Sequence, residues 1–203
     1  MLGQITPELE TLLHEAEQLT LVSGPSGVGK STLTERIRTD PSIQAVFGLD
    51  GMPAWTLNPG LWEGLYESRT RHLFLTYNHN RIWIRKIGTY DQDDVLSVFQ
   101  RCHQLTVLTI WEEPRALRRR ANARIIRTLR TLSKFRRVRK HLYRLLVQLR
   151  LRALYQEPER VWQQYREWLS FCDEMHLSAH WTLRGTDTTS MVRWSGRSEP
   201  LWD

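Results

Sequence analysis

Cysteine is nearly missing from this chain. Its 203 residues hold two, Cys102 and Cys172, too few for a disulfide framework or a zinc cluster. Both stand among apolar neighbours, the setting of buried free thiols in a reducing compartment. No apolar run reaches the ~20 residues that a membrane-spanning helix needs. Met1 to Glu17 lacks the basic start, apolar core and cleavage site of a secretory leader. These absences predict a soluble, cytoplasmic protein. His72, His79 and His103 lack the spacing of metal ligands, which leaves them surface or core roles. No internal repeat or low-complexity linker interrupts the sequence, so 1–203 reads as one domain, long enough to bury a core without staples.

Acidic residues are absent from one long stretch. Between Pro114 and Gln156 stand thirteen arginines and two lysines and no Asp or Glu, a charge of +15. The remaining residues hold 14 basic side chains against all 22 acidic ones, a balance of −8. The net charge of +7 therefore conceals an acidic body that carries one strongly basic arm, 114–156.

What the chain does have is GPSGVGKS at Gly24 to Ser31, directly after the apolar run Leu19, Thr20, Leu21, Val22. This is a complete phosphate-binding loop. Its glycines permit backbone conformations that turn successive N–H groups inward around phosphate oxygens. Lys30 is placed to reach the β- and γ-phosphates, Ser31 to hold Mg²⁺, and the helix that begins near Lys30 adds its positive end. Gly24, Ser26, Gly27, Val28, Gly29, Lys30, Ser31 and Thr32 are the expected contacts for ATP. A chance match in a Gly-rich turn is the competing explanation, and the strand and helix that flank the motif weigh against it.

The rest of the chain reads as alternating strands and helices. A capped helix is expected from Thr6 through Leu13, a strand at Gln18 to Ser23, and a helix at Lys30 to Arg38 stopped by Asp40 and Pro41. Ile43 to Leu49 reads as the second strand, delivering Asp50 at its end, and Met52 to Gly64 as an irregular Pro-, Gly- and Trp-rich loop. Strands follow at His72 to Tyr77 and Leu105 to Trp111, with a helix at Asp91 to Arg101 between them. Apolar residues spaced three and four apart, among them Leu117, Ala121, Ile125, Leu129, Leu142 and Leu149, predict two helices or one interrupted helix through the arm. The likeliest break falls at Ser133 and Lys134. A helix at Glu159 to Phe171, a last strand at His176 to Leu183 and a polar tail complete the reading. The class is α/β, a three-layer sandwich around a parallel sheet with a basic helical lid or arm.

A phosphate loop leaves kinases, motor or switch NTPases and transporter ATPases open. The chain contains neither the Asn-Lys-x-Asp segment of switch GTPases nor the Leu-Ser-Gly-Gly-Gln signature of transporter ATPases. GPSGVGKSTL closely resembles the loop of guanylate kinases and their P-loop kinase relatives. Leu105 to Arg124 (LTVLTIWEEPRALRRRANAR) is similar to the strand, proline, helix and arginine run that leads into the lid of those kinases. That resemblance implies an ATP- and Mg²⁺-dependent phosphotransferase in which Arg120 and Arg124 match the lid arginines that approach the transferring group. The middle of the chain departs from the GMP-binding pattern of guanylate kinases. Gly-Leu-Asp-Gly resembles the Leu-Asp-Gly segment of adenylylsulfate kinases, which implies Asp50 as general base, and a turn-forming Asp-Gly explains the same residues. A solvated helix face likewise explains the arginines.

The arm's charge exceeds what closing over one ATP requires, and a nucleic-acid acceptor, DNA above all, is the expected partner, with Trp55, Trp62 and Tyr66 available to stack on a base. Some bacteriophage DNA-modification kinases of the P-loop class, to which the chain bears a general similarity, phosphorylate hydroxymethylated pyrimidines in DNA. A small-metabolite kinase and a non-kinase NTPase stay open, as do a membrane surface or a second copy of the chain as the arm's partner.

Overall fold

The computed structural model describes residues 18–46, 54–57, 72–77, 104–132, 138–175 and 177–196. Two apolar runs organise them: β1 (Gln18–Ser23) is buried from its second residue to its last, and β4 (Leu105–Trp111) is buried almost throughout. Strands without an alternating polar face need cover on both sides, the condition of the middle of a parallel sheet. Accordingly β1 lies between β3 (His72–Tyr77) and β4, parallel to both. The sheet has six strands in the order β2-β3-β1-β4-β5-β6, with β2 (Ala54–Leu57) and β5 (Ala179–Arg184) also parallel. The two-residue β6 (Val192–Arg193) runs antiparallel to β5 at the edge. The architecture is α/β with a mostly parallel sheet.

Parallel neighbours require crossovers, and among the described residues helices lie in two of them. α1 (Lys30–Thr39) and α2 (Pro41–Val46) lie between β1 and β2 in the sequence. α3 (Pro114–Leu132), α4 (Val138–Leu154) and α5 (Pro158–Asp173) lie between β4 and β5. The main core joins Val22 of β1 and Leu108 and Ile110 of β4 to Leu33 and Ile37 of α1 and Leu117 of α3. Leu151, Leu154 and Tyr155 at the end of α4 and Tyr165 of α5 complete it. Among the described residues no helix is long and apolar enough to cross a membrane.

The region expected as a second strand is different. Residues 41–46 are helical, because Asp-Pro-Ser starts a helix as effectively as it ends one. Pro41 takes the first helical position, Ser42 donates its N–H and hydroxyl to Asp40 Oδ1 at 3.0 and 2.6 Å, and Ile43 and Gln44 donate N–H groups to the Asp40 carbonyl. The Ser42 hydroxyl bond, foremost, holds the Asp40 carboxyl below its usual range. The second strand is instead Ala54–Leu57, inside the segment expected to be an irregular loop. It is a four-residue edge strand that directly follows Pro53, a placement proline tolerates. Asp50 lies outside the described residues, as do the helices expected at Thr6 to Leu13 and Asp91 to Arg101, Cys102, Trp62 and Tyr66. The arm's two helices are present, ending at Leu132 and resuming at Val138. Of the apolar series that foretold them, Leu117, Ala121 and Ile125 are buried, while Leu129, Leu142 and Leu149 are exposed. The last strand starts three residues later than expected, and the tail beyond it folds into a 3₁₀ turn (Thr188–Ser190) and β6.

One polar network lies within the sheet. Ser23 and Thr109 face each other across β1 and β4 with hydroxyls 3.1 Å apart. Thr109 Oγ1 also lies 2.9 Å from His180 Nε2 and accepts the Trp168 indole N–H at 2.9 Å. His180 Nδ1 is buried and meets no hydrogen-bond partner among the described residues. Burial disfavours the imidazolium and pushes its pKa from 6.5 down to about 4. An unfolded chain protonates this histidine near 6.5 and the folded chain near 4, so the stabilisation is whole above the first value and lost as pH falls toward the second. Urea unfolding at pH 7 and pH 4.5 should show His180→Gln losing less stability on acidification than the parent, by about 2–3 kcal/mol. Equal acid sensitivity of the two proteins overturns this account.

Candidate functional site

β1 ends at Ser23 in the middle of the sheet, and the chain turns sharply there. Gly24 has φ 150° and Gly29 φ 119°, both in the region that L-residues avoid. Space adds a second constraint: a Cβ on Gly24 would lie 2.6 Å from the Ile110 carbonyl oxygen, and one on Gly29 2.7 Å from Thr186 Cγ2. The loop is thus pressed between β4 on one side and the segment after β5 on the other. Val28 is fully buried in the core and anchors it from below.

Lys30 opens α1 and is only 7% exposed. Its Nζ donates to the carbonyls of Gly24 and Pro25, at 2.8 Å each, so the ammonium group closes the loop on itself. The N-cap residue is Gly29, whose missing side chain caps nothing. The first-turn N–H groups of α1 therefore have no side-chain acceptor from the cap and face the loop. Ser31 and Thr32 are exposed beside it.

Two arginines of α3 reach the same loop because they lie four residues apart on one helix face. Arg120 donates from Nη1 to the Val28 carbonyl at 2.8 Å and, more weakly, to the Gly27 carbonyl at 3.4 Å. Its Nη2 pairs with Glu112 Oε2 at 2.7 Å. The Arg124 guanidinium lies over Gly27, its Nη1 3.3 Å from where a Cβ would be. Lys30, Arg120 and Arg124, far apart in sequence, therefore gather at 24–30. Asp50 cannot be placed among them, and the strand that was to deliver it is helical over its described part.

One contact on the loop and two beside it were not legible in the sequence. The Tyr155 hydroxyl donates to the Ser26 carbonyl at 2.6 Å. Arg36 donates to the Thr186 carbonyl at 2.9 Å, which fastens the segment after β5 over Gly29. The Tyr165 hydroxyl accepts the Glu112 N–H at 3.0 Å, and its burial pushes the phenol pKa well up. Asp187 shapes the covering segment by accepting the Thr189 N–H and hydroxyl, bonds that hold its carboxyl below the usual range.

Beside Glu112 lies an open cavity of about 730 Å³ lined by Glu113, Arg115, Arg118, Arg119 and Arg184. Arg184 pairs with Glu113 at 2.9 Å and stacks over the Trp111 ring. Among the described residues no group of three or more His, Cys, Asp and Glu side chains is placed to hold a metal ion. Ser31, the metal contact expected from the sequence, stands exposed in the first turn of α1.

No family model matches the chain, and comparison with curated proteins and with solved structures returns no match either.

The tight seating of Gly29 is testable. Gly29→Ala should lower unfolding stability by about 2 kcal/mol through its φ and its contact with Thr186. Adding Thr186→Ser, which removes Cγ2, should restore about half of that loss in denaturant titrations. No recovery in the double variant would mean that the segment after β5 does not press on the loop.

Proposed function

We propose that the chain is a P-loop kinase, a three-layer α/β sandwich that takes ATP with Mg²⁺ and moves the γ-phosphoryl group to a hydroxyl acceptor. The observation that carries this reading is the gathering of Lys30, Arg120 and Arg124 on one glycine loop at the carboxyl end of a central parallel strand. Ligands of open α/β sheets bind outside the carboxyl ends of the strands, where the chain connections diverge. β1, with β3 on one side and β4 on the other, is such a point.

In this reading backbone N–H groups of Gly24 and of Ser26 to Thr32 surround the phosphates. Lys30 exchanges its two loop carbonyls for phosphate oxygens, at little cost because the ammonium is already desolvated and aimed inward. Ser31 holds Mg²⁺, which supplies neutralising charge at the phosphates when bound. Arg120, braced by Glu112, fixes the loop, and Arg124 offers a planar, permanently charged fork to the developing charge. Asp50, the general base expected from the sequence, lies outside the described residues, and Glu112 is paired with Arg120, so no described carboxylate is given that role. Phosphoryl transfer relies mainly on positioning and electrostatics rather than on proton abstraction. The acceptor class expected from the sequence is a nucleic acid or a nucleotide.

The test is transfer of label from γ-³²P-ATP with Mg²⁺ to DNA, DNA carrying hydroxymethylated pyrimidines, RNA, nucleotides and sugars. Labelled product that disappears in Lys30→Ala, with kcat lowered about 10²–10³-fold in Arg124→Ala at little-changed nucleotide KM, is the expected result. Free phosphate without any labelled acceptor would replace the kinase by an NTPase. Unchanged transfer in Lys30→Ala would remove the site altogether.

A further inference from the structure

The arm carries an apolar face that phosphate contacts do not account for. Of the eight large apolar side chains exposed among the described residues, six stand on it: Ile126, Leu129, Leu142, Tyr143, Leu146 and Leu149. On α4, Leu142, Leu146 and Leu149 follow one another at four and three residues and share a strip about 60° wide at 100° per residue. Leu146, at its centre, is 58% exposed. Leu151, which is buried in the core, lies 180° from Leu142 on the same helix, and buried Leu154 lies 120° from it. On α3 Leu117, Ala121 and Ile125 are buried, Leu129 continues that stripe but is exposed, and Ile126 is exposed on the side away from it. A helix apolar on one stripe has one partner, and a helix apolar on two sides calls for two.

The chemistry of the missing partner follows from what borders the strip. Arg150 flanks it on one side and Arg152 on the other, both exposed. The whole arm bears +15 without one carboxylate, so a second arm is repelled and an anionic surface attracted. Nucleic acid would satisfy the arginines and leave the leucines in water. An anionic bilayer satisfies both, taking leucine side chains below its headgroups while arginines pair with lipid phosphates. We propose that the outer strip of α4, set within the basic arm, docks this protein on a membrane surface rich in anionic lipid. The helix would lie in the plane of the interface without crossing it. Docking does not depend on the phosphate loop being a nucleotide site.

The experiment is co-sedimentation of the full chain with phosphatidylcholine vesicles containing either no or one-third phosphatidylglycerol. Partition should rise about tenfold or more with the anionic lipid. It should fall about tenfold or more in Leu146→Asp/Leu149→Asp, with far-ultraviolet circular dichroism and the urea midpoint unchanged. Leu142→Ser, a milder change on the same strip, should fall between the two. No partition of the folded parent into anionic vesicles overturns the proposal. So does partition that the paired aspartates leave intact and that duplex DNA competes away, since the arm would then be a purely electrostatic surface for nucleic acid. A dimer in light scattering that the same double variant dissolves would assign the strip to a second copy instead, and also overturns it.

Discussion

Everything at the candidate site depends on how closely the loop after β1 can approach its neighbours. At Gly24 the backbone passes so near the Ile110 carbonyl of β4 that no side chain fits, and the loop is thereby fixed at the end of the sheet. That close approach brings the loop within range of α3, which begins only three residues after Trp111, where β4 ends. From there Arg120 links three elements with one planar group: its own helix, the Val28 carbonyl of the loop, and Glu112 at the strand end. A lysine in its place would offer a point charge and lose the fork that lets one side chain bind a carbonyl and a carboxylate together.

The energetics of this arrangement are those of a half-buried charge pair. Arg120 is 42% exposed and Glu112 12%, so water screens the pair and its contribution to folding is small. Its consequence is geometric. With Glu112 occupied and its backbone N–H donated to Tyr165, the end of β4 has little freedom, and Arg124, one turn further along α3, inherits a fixed position over Gly27. Tyr155 holds the Ser26 carbonyl from the far end of α4, so the arm is fastened to the loop at both ends of its chain path.

How much of this could be read from residues alone varied with the range of the interaction. β1 and β4 were legible because a strand covered on both faces is written as an unbroken apolar run. The loop was legible because its constraint is local, whereas Arg120 and Arg124 were singled out only by the resemblance of Leu105 to Arg124 to a kinase lid segment, and the structure brings both against the loop. Asp40 and Pro41 misled because the same residues stop one helix and cap the next, and Ile43, Ala45 and Val46 suit a strand as well as a short helix. β2 was hidden among prolines and tryptophans, since an edge strand of four residues needs only one hydrogen-bonded neighbour. Tyr155 and Thr186 gave no signal, because they meet the loop across 129 residues in one case and touch Gly29 from beyond β5 in the other.

The arm is where periodicity was right about form and wrong about burial. Its three- and four-residue spacing correctly announced two helices, yet Leu129, Leu142 and Leu149 in that series face outward while Leu151 and Leu154, outside it, enter the core. Periodicity reports that a stripe exists; it cannot say whether the stripe meets the body of the same chain. When one helix carries two stripes, the folded domain can cover only one, and the other must either be lost to solvent or serve an external surface. Half-exposed leucines between unbalanced arginines cost solubility as an isolated feature. No acid within 114–156 balances its charge, so its arginines must find acids elsewhere in the chain, as Arg120 finds Glu112, or an external anionic surface such as the one proposed for the leucines.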